Sequence, residues 1–562
     1  MTLPYRPARC LLPFLLPLSL AAQALEGLVF TREVGPGVKH HRWYRAAGPW
    51  AIEVVAFDYH HPALRLETVR AADKGLELTS RMASRAESNS SRVVAALNGD
   101  FFTPQGRPLN LQISNGEIVN GSYPRSVLAV SRSGEPVIAI TELSGKVITR
   151  RAGSHPLAGI NRERGENEII LYNRFFGSHT NTNRHGREVA LRLLTTFTVN
   201  DSVATLVMPA SSASGNSALS DSVYVLSAHG TAANWLARAV AAGDTIKLFW
   251  QLPQIPLPVR AAIGGTPRLI RDGKISIESE IEFNRAGFAT ERHPRSAVGF
   301  DEKNHRMYFV VVDGRQPGYS VGMTLAELAN FLSELGCTQA INLDGGGSST
   351  LVVRGEVVNR PSDLTGERPV ANALLLLCSA QGTTPAYLKI SPPRVEALAG
   401  DSVRFRISLT DSFFNPIAIA PAAITWRVPP ALGKNGANGI FWAGTKVDSG
   451  FVVVTNGVIS DSAWVVVHQP AGLELHPPRA TVKPGQAQRF LGYLTTTSGR
   501  RLPLAGPRLS WQVQPQSGTV TAGGTVVATT PGTYRVTATY QSTTATLTAS
   551  AEVTVETGGK QP

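Results

Sequence analysis

The hydrophobic pattern of the chain changes character near residue 385. Before that point, continuous apolar runs frame one clear helical stripe; beyond it, short alternating strands recur between Gly, Pro, Ser and Thr turns. In the first part, residues 307–312 read as a buried strand that ends in Asp313-Gly314-Arg315. A helix follows: Thr324 caps it, Glu327 closes a capping box, Leu325, Leu328, Leu332 and Leu335 form its apolar stripe, and Gly336 stops it. Residues 339–343 make the next strand and lead into Asp344. Strands joined by a helix are normally parallel, which brings Asp313 and Asp344 to one rim of a sheet, where open α/β sheets bind ligands. Residues 93–97 predict a further strand, ending in Asn98-Gly99-Asp100-Phe101-Phe102.

In the second part, Pro392-Pro393-Arg394, Gly400, Arg404-Phe405 and Trp426 recur at Pro477-Pro478-Arg479, Gly485, Arg489-Phe490 and Trp511, each displaced by 85 positions. A constant offset marks a tandem duplication, and strands such as 402–409 and 533–540 have the spacing of β-sandwiches. Trp426 and Trp511 are expected in the cores. The predicted architecture is an α+β, mixed-sheet catalytic domain (residues 25–385), then two all-β immunoglobulin-like sandwiches (386–469 and 470–556) and a polar tail (557–562). Residues 1–24 combine Arg6 and Arg9, an apolar run over 11–20 and Ala22-Gln23-Ala24, the pattern of a cleaved export signal. No later run is long enough to span a bilayer, so a secreted or periplasmic protein is expected.

Removing that segment takes the formal charge from +13 to about +11. Such a surface favours anionic partners without choosing among them. Cys337 and Cys378 then remain; one disulfide stapling two core strands and two buried thiols are equal alternatives.

The richest chemistry lies in Asn342-Leu343-Asp344-Gly345-Gly346-Gly347-Ser348-Ser349-Thr350: a carboxylate, three residues without side chains and three hydroxyls. Glycine N–H groups can form an anion nest, and glycine admits a substrate close to the main chain. No Lys follows and residues 351–353 read as strand, so this is not a nucleotide P-loop. Arg292, His293, Arg295 and Arg315 supply cations beside Asp313; His293 is also a catalytic candidate because it lies between two arginines. Thr266, in Gly264-Gly265-Thr266-Pro267, is a candidate substrate donor. No zinc-type Cys/His spacing occurs, although Asp100, Asp313 and Asp344 could hold calcium or magnesium through oxygen.

Taken in order, Asn98–Phe102, Arg292–Ser296, Val312–Arg315 and Asn342–Thr350 resemble the phosphodiester glycosidase family, with Gly159-Ile160-Asn161-Arg162 and Asn167–Tyr172 as further landmarks. The resemblance spans roughly residues 50–378. It implies hydrolysis of sugar-1-phosphodiesters, including those of N-acetylglucosamine, at the anomeric C–O bond. No cofactor is required. In this reading Asp344 or Asp313 is base or stabiliser, and Arg292, Arg295 or Arg315 with Gly345, Gly346, Gly347, Ser348 and Ser349 holds phosphate. Asn98, Gly99 and Asp100 face the sugar. The substrate is a phosphodiester-linked glycan rather than nucleic acid, with the sandwiches available for envelope association. A metal-assisted phosphoesterase cutting P–O and a non-catalytic polysaccharide-binding protein are the alternatives.

Overall fold

The computed structural model of the chain describes residues 27–72, 75–209, 215–363, 365–418, 424–436, 439–504 and 508–556. The expected export segment and polar tail lie outside them.

An eight-stranded sheet carries the strand–helix–strand unit. Arg306–Val312 and Gln339–Asn342 both pair antiparallel with Arg295–Asp301, which lies between them, so they are parallel to one another. Leu325–Glu334 crosses between them, with the capping box of Thr324 and Glu327 complete and Gly336 at φ +87°. Side-chain alternation builds the layers. Val54, Val310 and Val312 pack outward against Leu325, Leu328 and Leu332 of that helix. Val55, Phe309 and Val311 pack inward against Val94, Leu97, Leu374 and Leu376 of a five-stranded sheet. The outer face of this second sheet places Val93, Ala96 and Leu375 against Met82 and Ala83 of the helix Thr79–Ala86. Buried on both faces, such strands read as continuous apolar runs.

Residues 112–264 add two further sheets, of five and eight strands, around a separate apolar core. The described residues contain three α-helices against many strands. The first domain is therefore β-dominated among its described residues. Two of its helices only cover outer sheet faces; the third, Gly230–Ala239, packs in the added segment.

The C-terminal β-rich region fits immunoglobulin-like domains. Each copy has a four-stranded sheet and two three-stranded ones in matching order. Arg394–Leu398 pairs parallel with Ser460–His468, and Arg479–Val482 does so with Thr546–Val555. Trp426 and Trp511 are partly buried against their cores. The strand expected at 402–409 is two, Ser402–Arg404 and Arg406–Thr410, because buried Phe405 turns the chain from one sheet to another.

Cys337 and Cys378 are free, buried thiols. Cys337 packs under the outer helix and Cys378 between the two sheets, so the disulfide alternative is excluded by their opposite layers. The sandwiches dock on the first domain. Tyr493 packs with Ala51 and Tyr319 and donates its hydroxyl to the Pro317 carbonyl. Arg354 reaches the Val34 carbonyl at 2.6 Å and that of Phe413 at 2.8 Å.

Candidate active site

Strand ends from the two sheets meet at one rim, and main-chain bonds lock them together. The Asp344 N–H donates to the Gly99 carbonyl (3.0 Å), and Asn98 Nδ2 donates to the Asp344 carbonyl (2.7 Å). Asn98 Oδ1 accepts from Ser296 Oγ (2.7 Å) and the Thr350 N–H (3.1 Å). Asn98 thus organises the turn with both ends of its amide and is not free for sugar. A side chain at Gly99 would collide with Asn372 and Ile263. Thr266 is buried, with its N–H on the Asn342 carbonyl (2.9 Å) and its Oγ1 accepting from Asn284 Nδ2 (2.9 Å).

Of the three aspartates, Asp344 is half-buried and the others are almost wholly enclosed. Asp100 Oδ2 accepts from the Asn110 N–H (2.7 Å). Burial pushes Asp100 up to about 7; the Asn110 bond opposes the shift, and the negative charge of Asp344 adds to it. Burial likewise raises Asp344 to about 6, against the Ser348 hydroxyl and the charges of Arg368 and Arg315. Ser348 Oγ is buried close to Asp344.

Asp313 is different. Its carboxylate accepts from Tyr319 (3.0 Å), Asn359 Nδ2 (3.0 Å) and the Arg360 N–H, which reaches both oxygens at 3.0 Å. Asn359 Nδ2 also reaches the Ser349 carbonyl (3.0 Å). Asp313 therefore braces the glycine turn from behind. Burial raises it to about 6 despite those bonds. The oxygen-ligand set of Asp100, Asp313 and Asp344 is not assembled, since Asp313 faces these donors; among the described residues no three His, Cys, Asp or Glu side chains are placed to hold a metal.

The glycines of the turn have separate reasons. A Cβ on Gly345 would stand 2.7 Å from the Pro294 carbonyl, and one on Gly346 would stand 3.0 Å from Arg315 Nη2. The ion pair of Arg368 Nε with Asp363 (2.6 Å) packs over Gly347. The expected nest is partly used by the fold, because the Gly346 N–H donates to the Pro294 carbonyl (2.9 Å). The Gly345 N–H and the Ser348 hydroxyl act on Asp344, and the hydroxyls of Ser349 and Thr350 are buried without a protein partner among the described residues. Such groups are costly unless something bonds them.

Arg315 is exposed at φ +57°, and its guanidinium lies against the bare backbone of Gly346. It approaches His293 Nδ1 at 3.3 Å, while His293 Nε2 lies 3.0 Å from Glu291. These partners assign the proton to Nε2 and make Nδ1 the acceptor. Burial lowers the His293 pKa, Glu291 opposes this, and Arg315 and Arg295 reinforce it. His293 thus lies between Glu291 and Arg315. The other two arginines have protein partners. Arg292 pairs with Glu327 in the first turn of the helix. Arg295, 2 % exposed, bonds the carbonyls of Met323 (2.9 Å), Phe288 (3.1 Å) and Glu291 (2.7 Å). Sequence reasoning missed Arg368 and Glu291: Arg368 sits in an irregular segment without a motif, and Glu291 beside arginines reads as a surface ion pair.

The rim thus gathers a half-buried carboxylate, a second acid, a cation and buried hydroxyls. Residues 195–377 match the phosphodiester glycosidase family model, so three of the four resembling motifs lie inside the match and Asn98–Phe102 lies outside it. The chain is 38% identical over 117 residues to the N-acetylglucosamine-1-phosphodiester alpha-N-acetylglucosaminidase of Bos taurus, covering 19% of this chain and 21% of that protein. It is 34% identical over 115 residues to that of Mus musculus, covering 19% and 22%. The chain spans about a fifth of the length of these curated relatives. A solved hypothetical protein from Synechocystis is similar at TM-score 0.47 and 21% identity, over 61% of this chain and 62% of that one.

Proposed function

We propose that this protein hydrolyses sugar-1-phosphodiesters at the glycosidic C–O bond, releasing a sugar and a phosphomonoester. The observation that carries the reading is the position of Asp344, half-buried beside Asp100 and facing the charge of Arg315 across Gly346. Asp344 in its ionised form takes the proton of a water attacking the anomeric carbon. The C–O bond breaks, and its electron pair leaves with the phosphate. A phosphomonoester has a second pKa near 6, so it departs without full protonation and mainly needs its charge met. Arg315 and the hydroxyls of Ser348 and Ser349 meet it. Asp100, whose pKa lies near neutrality, can keep a proton and bond a sugar hydroxyl. Asp313, Asn98, His293 and Arg295 act through position.

The apolar residues 11–20 and Ala22-Gln23-Ala24 support export, and we assign the substrate to envelope or extracellular glycans, with N-acetylglucosamine-1-phosphodiesters as the first to assay. Asp344→Asn should lower turnover on such substrates by about 100-fold or more, with a thermal midpoint at neutral pH no lower than that of the wild type because a buried charge is removed. A rate like that of the wild type removes Asp344 from the chemistry.

A further inference from the structure

A cavity of about 1100 Å³ lies where the first domain meets both sandwiches. Eight Arg and Lys residues line it against four Glu. Five of the eight cations have a carboxylate partner: Arg406 pairs with Glu356, Arg501 with Glu474 outside the lining (3.1 Å), and the other three share two acids. Arg394 and Arg500 both rely on Glu396 Oε1, each at 3.2 Å, and Arg42 shares Glu53 with His40. Arg32, Arg354 and Lys389 have no carboxylate ion pair among the described residues. Arg354 bonds neutral oxygens of Val34, Phe413 and Asn415, and Lys389 lies over Tyr387 and Phe414 at 5.4 Å.

Unpaired cations in a confined cleft repel one another and lose hydration, a cost that a bound multivalent anion offsets. The volume matches ligand pockets of the larger kind. Most of the rings that line it are engaged, and Tyr44, 39 % exposed, is open. Phe414 stacks on Tyr387 with centroids 4.6 Å apart, and Phe30 stands edge-on to His40 at 5.2 Å. Tyr44 alone does not make a platform for successive bases, which single-stranded nucleic acid would use. One wall is formed by Gly318 and Tyr319, in the same turn as Arg315, so cleft and candidate active site lie on two sides of one loop.

We propose that this interdomain cleft binds a phosphate-bearing glycan strand, holding a polymeric substrate while one of its linkages is presented to the site. The polymer follows from the function proposed above; the preference for a multivalent anion follows from the cleft alone. The test measures binding and not turnover, so its result is independent of whether the chain hydrolyses anything. A poly(glycerol phosphate) oligomer is titrated against the full chain at rising salt. Parallel titrations use Arg32→Gln with Lys389→Gln, and Asp344→Asn. The wild type should bind with an affinity that falls as salt rises; the double variant should bind about 10-fold more weakly with an unchanged thermal midpoint, and Asp344→Asn should bind like the wild type. Absence of binding at low salt, equal affinity in the double variant, or tighter binding of a single-stranded oligonucleotide of the same charge would overturn the assignment.

Discussion

Gly346→Ala isolates the contribution of the glycine turn. Gly346 sits at φ +61°, in the left-handed region, where an L-residue costs roughly 1–2 kcal/mol. Its new Cβ would also lie 3.0 Å from Arg315 Nη2 and 3.3 Å from Nη1. Arg315 is an exposed, flexible side chain and can retreat cheaply, but retreat withdraws it from the departing phosphate. Gly355 provides the control: its φ is +80° and nothing lies within 4 Å of a Cβ built there. Both variants should therefore lose a similar roughly 1–2 kcal/mol of stability by denaturant unfolding. Only Gly346→Ala should lose activity, by about 10- to 100-fold in kcat/KM on a sugar-1-phosphodiester, since small misplacements of a charge-stabilising group are expensive. Equal activities in the two variants would show that contact between Arg315 and Gly346 does nothing for the reaction.

Two further outcomes follow from burial and docking. Asp100, Asp313 and Asp344 have folded pKa values of about 7, 6 and 6, above their ordinary value of 3.8, so the folded state holds more protons than the unfolded one. Their contribution to stability is full below pH about 4 and is lost as pH rises through about 7. Thermal midpoints should show a shallower decline over that window for Asp100→Asn than for the wild type, and parallel curves would refute the shift. Tyr493→Ala removes both the packing on Tyr319 and the bond to the Pro317 carbonyl. It should cost about 3 kcal/mol or more and weaken kcat/KM through the Arg315 turn, whereas Tyr493→Phe should cost only about 1 kcal/mol. Unchanged kinetics in the alanine variant would uncouple the second sandwich from the site.

The helix Leu325–Glu334 and its flanking strands were legible because their signals are local: a capping box, an apolar stripe and a glycine stop. Their parallel relation, with Asp313 and Asp344 at one rim, followed from connectivity. The sheet to which Arg92–Asn98 belongs was not legible, because continuous apolar runs look the same in either layer. Nor were the fates of the arginines. Arg292, Arg295 and Arg315 are chemically alike in the sequence, yet one pairs with a helix, one binds carbonyls and one remains exposed. The distinction lies in partners such as Glu327 and Met323, which only the tertiary fold brings near. The same holds for Asp313, whose carboxylate is taken by Tyr319, Asn359 and Arg360.

The central claim is cleavage between the anomeric carbon and the bridging oxygen, with Asp344 acting on the attacking water. Hydrolysis of a sugar-1-phosphodiester by the purified chain in water enriched in heavy oxygen, followed by mass spectrometry of both products, tests it most directly. The heavy oxygen should appear in the released sugar and be absent from the phosphomonoester. Heavy oxygen confined to the phosphomonoester would mean that the P–O bond is cut, and would contradict the account.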